Sequence, residues 1–249
     1  MPHKKKMRID RIILVVVVGL VVLFGVYKGL QFAAEGVMAF FKSPETGTTE
    51  VPTPTEKKIT VVIDAGHGAV DGGAKNGAVL EKNISLKIAK AIGPILEKEN
   101  INVVYTRTDD KTLHSDRFTD LKMRAEMSAQ NDATCFVSIH VNDVDNPRPD
   151  ISGFEIFTKN NDDVAINDKS TALAKAVGTQ IEGLKYSKNR GLQSGKNLRV
   201  LRLNTVPSIL IETGYIRGND FKYLNDDAKL KTLGESIAKG INEYLKANK

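Results

Sequence analysis

The stretch VVIDAGHGAVDGGA, residues 61–74, joins a run of β-branched residues to a histidine that lies between two glycines. The run at its start is typical of a buried strand. Gly66 and Gly68 permit a tight turn and leave the imidazole of His67 uncovered, whereas a core histidine would normally be flanked by bulky residues. The stretch therefore predicts a buried strand whose carboxyl end presents His67 for function.

Downstream of this stretch, strand patterns alternate with helix patterns. Ile84, Ile88 and Ile92 recur at helical spacing after Asn83, which we expect to cap that helix. Pro94 is expected to kink or shorten it. Alternation of this kind predicts an α/β domain with a mostly parallel central sheet flanked by helices. We predict strands at 59–63, 101–105, 133–141, 153–158 and 207–213, and helices at 83–99, 120–130, 170–184 and 227–246.

The N-terminus has the pattern of a membrane anchor. A basic cluster at residues 4–11 precedes an uncharged run from Ile12 to Tyr27, which as a helix spans about 24 Å of a hydrocarbon core of about 30 Å. The alternative is a cleaved signal peptide, but no small-x-small cleavage site directly follows the apolar run. In both cases the positive flank stays inside and the remainder is exported.

These patterns divide the chain into three parts. Residues 1–42 are predicted to be a cytoplasmic basic tail and a single-pass membrane anchor. Residues 43–58 are rich in Pro, Thr and Glu and lack hydrophobic periodicity, so they are predicted to be an extended linker. Residues 59–249 are then predicted to form one globular domain on the extracellular side of the membrane.

The charge of the chain gives little support to a nucleic-acid partner. The formal net charge is +6, but residues 1–58 hold nine Lys/Arg against five Asp/Glu and so carry +4 of it. The basic character belongs mainly to the tail rather than to a binding groove, and we expect no nucleic-acid binding. The single cysteine, Cys135, allows no intrachain disulfide and lies in an apolar strand, where we expect it to be packed.

Three polar residues occupy the predicted carboxyl ends of strands. His67 follows the first strand, His140 ends the third and Glu212 ends the last predicted strand. Ligands bind at the carboxyl ends of strands in open α/β sheets, so these side chains meet if their strands are parallel neighbours. Glu81 lies in the connection after the first strand, which starts at the same edge, and can join the group.

Two imidazoles and one carboxylate with an open fourth position form a catalytic zinc site. His67, His140 and Glu81 would supply that set, and the metal would activate a water and polarise a carbonyl oxygen. Glu212 would remain as a carboxylate that moves protons. Asp64 and Asp71 are predicted to form the turn or to orient His67.

Each residue also has a structural interpretation. A histidine at a strand end is commonly a hydrogen-bonded loop residue, and Glu81 alone would be an exposed carboxylate that favours the helix dipole. A cysteine hydrolase using Cys135 with His140 is a second alternative. However, residues five apart in one strand point to opposite faces, which prevents a direct thiolate–imidazole pair.

The motifs together resemble the zinc-dependent N-acetylmuramoyl-L-alanine amidases, specifically the type-3 amidase domain of bacterial cell-wall hydrolases. The similar segments span roughly residues 59–246. VVIDAGHGAVDGGAKNG is similar to the opening motif of the family, with Ala65 where proline is commoner, and LEKNISLKIAKAI is similar to its helix start. Similar too are TRTDD, SIHVND, SGFEIF and the closing segment around SILIETGYI; the family's middle Ala-Asn element appears only loosely, as Ser128 to Asn131.

The resemblance implies zinc ligands His67, Glu81 and His140, with Glu212 as the catalytic acid/base. It implies zinc-dependent hydrolysis of the amide between N-acetylmuramic acid and L-alanine of peptidoglycan stem peptides, for cell-wall remodelling. The partner it implies is peptidoglycan; the predicted N-terminal anchor adds the membrane, and a regulatory protein partner is left open. The alternative is a catalytically silent, membrane-anchored peptidoglycan-binding module, which has no use for an acid/base such as Glu212.

Overall fold

The computed structural model describes residues 58–144, 146 and 150–248, together with Val26 and Lys28. The predicted linker, apart from Lys58, and the predicted anchor, apart from Val26 and Lys28, lie outside the described residues. Among the residues that are described, no helix combines the length and the apolar character needed to cross a membrane.

The centre of the domain is a six-stranded sheet. Its strands are β1 (Thr60–Ala65), β4 (Asn102–Tyr105), β5 (Cys135–Asn142), β6 (Phe154–Thr158), β7 (Asn189–Ser194) and β8 (Ser208–Tyr215), and a separate hairpin pairs β2 (Lys75–Asn76) with β3 (Val79–Leu80). The order is β4-β1-β5-β8-β6-β7, with only the β8/β6 pair antiparallel. The structure thus confirms the predicted α/β fold with a mostly parallel sheet.

Helices cover both faces of the sheet. They are α1 (Glu81–Lys98), α2 (Arg117–Gln130), α3 (Val164–Glu182), α4 (Arg199–Arg202), α5 (Phe221–Leu224) and α6 (Asp227–Ala247). The apolar faces of α1, α3 and α6 pack on one side of the sheet, and α2 and α4 enclose a smaller cluster on the other. Because β1 lies between these two layers, all six of its residues are buried, which explains the apolar run at residues 61–63 in its middle.

The first helix corrects two predictions from the sequence. Asn83 is not its N-cap, because α1 already begins at Glu81 after Leu80, which makes no side-chain cap hydrogen bond. The hairpin β2–β3 holds the chain up to Leu80, and the backbone N–H of Glu81 donates to the carbonyl of Ala74 at 2.8 Å. Pro94 does not shorten the helix to any extent, since α1 continues to Lys98, next to the predicted end at residue 99; the kink stays a prediction.

Two strands extend beyond their predicted ends. β5 continues two residues past His140, and β8 continues three residues past Glu212. The two strands remain paired through a register shift, with His140 opposite Glu212 and Asn142 opposite Tyr215. His140 and Glu212 therefore lie within their strands rather than at the ends, next to each other at the carboxyl edge of the sheet.

Candidate metal centre

Three side chains from different elements meet at the carboxyl edge of β1 and β5. His67 Nε2 lies 3.1 Å from Glu81 Oε2, and His140 Nδ1 lies 2.9 Å from Glu81 Oε1. The potential ligand atoms of the three residues all lie within 4.8 Å of one another. The histidine side chains are 17% and 18% exposed and that of Glu81 is 5% exposed, so the site opens to solvent on the side of the imidazoles.

The position of Glu81 is determined by the backbone around it. As the first residue of α1 it lies at the positive end of the helix dipole. Its Oε2 accepts a hydrogen bond from the N–H of Ala74 at 2.8 Å, and its Oε1 accepts one from the N–H of Val141 at 2.9 Å. Each carboxylate oxygen is thus fixed toward a different histidine.

His67 is held in a fixed orientation by Asp71. The carboxylate of Asp71 lies 2.9 Å from Nδ1 of His67, which leaves Nε2 directed at Glu81. This is the orienting role predicted for Asp71. His67 itself has φ of 61°, a left-handed conformation that few residues other than glycine adopt. The backbone is therefore strained at the residue whose ring faces the site.

The glycines around His67 provide space as well as a turn. A Cβ on Gly66 would lie 2.4 Å from the His140 ring, so the absence of a side chain there lets the second imidazole approach β1. A Cβ on Gly68, whose φ is +140°, would lie 2.2 Å from the carbonyl oxygen of Lys111. The glycines in this stretch therefore allow both the turn and the close packing of the site.

The carboxylate of Glu81 and the two imidazoles alter each other's protonation. Burial would raise the pKa of Glu81, but the hydrogen bonds from His140 and His67 outweigh it and hold the pKa far below its ordinary value. Burial would lower the pKa of His140, yet the hydrogen bond and charge of Glu81 raise it to about 9. The geometry thus keeps Glu81 ionised and favours positive charge beside it.

Glu212 lies beside this cluster without belonging to it. It is the register partner of His140 in β8, so both side chains project from the same face of the sheet. Its Oε2 atom is buried and has no hydrogen-bond partner among the described residues. Burial raises the pKa of Glu212 to about 7, and the charges of Glu81 and Glu155 add to this while that of His140 opposes it. An unpaired buried carboxylate oxygen at this point is available to a ligand.

Asp64 forms no hydrogen bond with the His67 side chain among the described residues, contrary to one of its two predicted roles. Its carboxylate is buried and accepts hydrogen bonds from Thr106 at 2.7 Å, Ser138 at 2.6 Å and Arg124 at 2.9 Å. Arg124 in turn donates from Nη2 to the carbonyl oxygen of His67 at 2.8 Å. Asp64 therefore supports the His67 loop through a buried arginine, a link between distant segments that sequence spacing does not reveal.

A second polar cluster at this edge carried no assigned role in the sequence. Asn142 Nδ2 donates to Glu155 Oε1 at 2.6 Å, and the hydroxyl of Tyr215 donates to the same oxygen at 3.4 Å. Glu155 is the β6 register partner of Glu212. Asn142 and Glu155 stand in segments that match the family motifs, which was the available signal; Tyr215 reaches this face only because of the register shift in β8.

Cys135 lies in the core, as predicted. It is 0% exposed among apolar residues, and burial raises the pKa of its thiol to about 12. It pairs with Val61 at the start of β1, whereas His140 lies five residues further along β5 at the opposite end of the strand. In the part of the chain that the structure describes, Cys135 and His140 therefore form no thiolate–imidazole pair for a cysteine hydrolase.

The donor set at the site suits a divalent metal. Two imidazole nitrogens and a carboxylate match a catalytic zinc site, and Asp71 on His67 matches the carboxylate that commonly orients such a histidine. The buried oxygen of Glu212 near this set has no hydrogen-bond partner among the described residues and can accept a hydrogen bond from a reacting group. The residues present therefore fit a metal ion.

Residues 61–243 match the sequence profile of the family described as N-acetylmuramoyl-L-alanine amidase. Among curated relatives, the probable cell wall amidase LytH of Staphylococcus epidermidis is 30% identical over 190 residues, which cover 75% of this chain and 58% of LytH. The chain therefore spans well under two thirds of the length of this relative.

Solved structures of N-acetylmuramoyl-L-alanine amidases are also similar to this chain. The amidase AmiC2 of Nostoc punctiforme is 39% identical, with a TM-score of 0.67 over 76% of this chain and 97% of AmiC2. The CwlD amidase of Clostridioides difficile, solved in complex with the GerS lipoprotein, is 28% identical, with a TM-score of 0.68 over 76% of this chain and 100% of CwlD. These likenesses extend across the α/β domain.

Proposed function

Since the chain belongs to the N-acetylmuramoyl-L-alanine amidase family, we propose that it hydrolyses the amide between N-acetylmuramic acid and L-alanine in peptidoglycan, for cell-wall remodelling. The observation that carries the proposal is the meeting of His67, Glu81 and His140 beside an unpaired oxygen of Glu212. Nothing in this geometry favours the catalytically silent binding module, which would require neither an ordered metal-ligand set nor a buried proton acceptor.

We infer that zinc is the cofactor and that His67, Glu81 and His140 hold it, His67 through Nε2. When bound, zinc supplies Lewis acidity toward the attacking water and the scissile carbonyl. Asp71 keeps Nδ1 of His67 occupied, so the ring presents its other nitrogen to the site. The N–H groups of Ala74 and Val141 hold the carboxylate of Glu81 in place against the charge of the histidines.

Glu212 is the proton carrier in this proposal. Its carboxylate accepts the proton of the attacking water and then delivers it to the nitrogen of the departing L-alanine. Burial raises its pKa to about 7, which suits a group that both accepts and donates a proton near neutral pH. Its register position opposite His140, on the same face of the sheet, supports this role.

The test is mass spectrometry of purified cell walls digested by the parent chain and by Glu212→Gln. The parent should release peptides with a free L-alanine amino terminus. Glu212→Gln keeps the size of the side chain but cannot accept a proton, so release should slow by at least about 100-fold while zinc content and melting temperature stay near those of the parent. A folded, zinc-loaded Glu212→Gln variant with normal turnover would contradict the assignment.

We propose further that residues 1–42 hold the domain at the outer side of the cell membrane. The support is the basic cluster before the apolar run from Ile12 to Tyr27. The full chain should sediment with membranes, and a chain lacking residues 1–42 should remain soluble and keep its activity on isolated walls. An inactive but folded truncation would mean that the N-terminal segment contributes to the site.

A regulatory protein partner is part of the same proposal, supported by the complex in which CwlD was solved. Such a partner should change turnover on isolated walls without altering the products. Measuring the activity of the full chain in the presence and absence of the membrane fraction of its own cells would test this. Equal turnover in the two conditions would count against a partner.

A further inference from the structure

Arg190 lies beside the candidate site on a support made by three elements. Its guanidinium carbon is 5.3 Å from the centre of the Tyr215 ring, and its Nη1 donates to the carbonyl oxygen of Ser152 at 3.4 Å. A Cβ on Gly153 would lie 2.4 Å from Cγ and Cδ of Arg190. The Arg190 side chain therefore passes over Gly153, just before β6, because that residue has no side chain. The guanidinium is thus directed toward Tyr215.

Two irregularities in the sheet create this arrangement. The pairing of β6 with β7 shifts between Phe154 and Ile156, which leaves an extra residue in β7 next to Arg190. The pairing of β5 with β8 shifts beyond His140, which turns Tyr215 onto the face that carries Glu212. Bulges of this kind commonly redirect side chains next to active sites.

The contacts connect Arg190 to the site in short steps. Its guanidinium stacks on Tyr215, the hydroxyl of Tyr215 donates to Glu155, and Glu155 is the register partner of Glu212. Tyr215 lies three residues from Glu212 along β8, about 10 Å at the rise of a strand. Two residues of an extended peptide span about 7 Å, which is the greater part of that distance.

The charge of Arg190 is available to a ligand. The residue is exposed, and it forms no ion pair with a carboxylate among the described residues. The Tyr215 ring and the carbonyl oxygen of Ser152 restrict the position of the guanidinium, which lowers the entropy lost when it binds an anion. A guanidinium held in this way is suited to a carboxylate, with which it makes paired hydrogen bonds.

We propose that Arg190 is a specificity residue that binds a carboxylate of the stem peptide, namely that of the residue following L-alanine. This inference rests on the proposed function, because it concerns the substrate of the same site. The lactyl carboxyl of the muramic acid is consumed in the scissile amide, so the anionic group near that bond belongs to the peptide. In the stem peptide the residue after L-alanine is a side-chain-linked glutamate, whose α-carboxyl is either free or amidated.

The experiment compares two soluble muramoyl tripeptides that differ at one group, carrying D-isoglutamate or D-isoglutamine after L-alanine. The parent should prefer the carboxylate form. Arg190→Gln should raise KM for that form by about 10- to 100-fold, the effect of losing a charge-assisted hydrogen bond, with little change for the amide form. Arg190→Lys should recover part of the preference, because it keeps the charge without the planar group.

The matched control is Lys188→Gln, which removes one positive charge from an exposed residue nearby. The hydrogen bond from Phe154 N goes to the backbone carbonyl of Lys188, so the substitution leaves it intact. It should leave both KM values unchanged. An equal loss on both substrates by Arg190→Gln, or no loss on either, would overturn the proposal while leaving the amidase activity of the parent established. A parent that cleaves neither substrate would instead contradict the proposed function, and the inference with it.

Discussion

Gly73 leaves open the space in which Glu81 and His67 meet. A Cβ at this position would lie 2.5 Å from Oε2 of Glu81 and 2.7 Å from Cδ2 of His67. The carboxylate and the imidazole are therefore close because the chain between them has no side chain at the point of contact. This relationship makes a glycine part of the candidate metal centre even though it supplies no candidate ligand.

Gly73→Ala should therefore disrupt the site more than the fold. Its φ of +66° makes alanine cost about 1–2 kcal/mol of backbone strain, and the added methyl group must push Glu81 or His67 aside. Zinc content and wall hydrolysis should both fall by at least about 10-fold, the lower range for disturbing groups that orient metal ligands. Zinc content is measured by elemental analysis after dialysis, together with the melting temperature.

Gly77→Ala is the matched control. Gly77 has a similar φ of +59°, but no atom of the described residues lies within 4 Å of a Cβ added there. It should show a comparable loss of melting temperature with normal zinc content. Equal zinc content in Gly73→Ala and Gly77→Ala would contradict the claim that a side chain at Gly73 displaces Glu81 or His67.

The second prediction concerns the metal ligands. The purified chain should hold about one zinc ion, and His140→Ala should lose most of it, because two remaining ligands hold the ion poorly. His114→Ala is the control, since His114 is exposed and only its Nδ1 accepts a hydrogen bond, from the N–H of Asp116. Full zinc retention by His140→Ala would exclude His140 from the site.

The third prediction concerns Cys135. Because burial raises the pKa of its thiol to about 12, little thiolate exists at neutral pH. A chromogenic aromatic disulfide, which reacts with thiols, should label the native chain very slowly and should leave wall hydrolysis unaffected. After denaturation it should label one thiol per chain. Rapid loss of activity on thiol labelling, with hydrolysis insensitive to a chelator, would revive the cysteine hydrolase.

Sequence patterns predicted the fold and the meeting of the candidate ligands because both depend on regular features. Buried strands such as β1 have continuous apolar runs, and parallel neighbours bring His67, His140 and Glu212 to one edge without knowledge of any loop. The position of Glu81 in the sequence was also enough to predict that it joins this group, since the connection after β1 starts at that edge.

What the sequence could not predict depends on irregular geometry. β7, with the sequence NRGLQS, has no apolar run and was not predicted. The bulges that bring Arg190 to Tyr215 arise from strand pairing, although Gly191 and Gly214, at φ of +91° and +138°, are the residues that make such bulges possible. The buried ion pair of Arg124 could not be predicted either, because its partner Asp64 is sixty residues away in sequence.

The last prediction concerns this buried pair. Arg124 and Asp64 are 2% and 1% exposed with 2.9 Å between Nη1 and Oδ1, and Arg124 also bonds Asp120 at 2.6 Å. Arg124→Gln leaves two carboxylates without their guanidinium and should lower the free energy of unfolding by roughly 3–5 kcal/mol, measured by urea denaturation at pH 7. Lys122→Gln is the control on the same helix, because its pair with Glu126 is exposed and should be worth no more than about 0.5 kcal/mol.

The pH dependence of this difference tests its cause. Burial alone would raise the pKa of Asp64, but Arg124 and the hydroxyls of Ser138 and Thr106 lower it below the ordinary value. A carboxylate with a lowered pKa stabilises the fold above its unfolded pKa, and this contribution is lost as the pH falls through the folded value. The unfolded state is common to both chains, and without the guanidinium the folded variant binds a proton on Asp64 at a higher pH than the folded parent does. The gap between the parent and Arg124→Gln should therefore narrow as the pH falls into the acid range. A gap that stays constant from pH 7 to pH 3 would mean that Arg124 stabilises the His67 loop through its hydrogen bonds to the carbonyls of Ala65 and His67 rather than through the charge of Asp64.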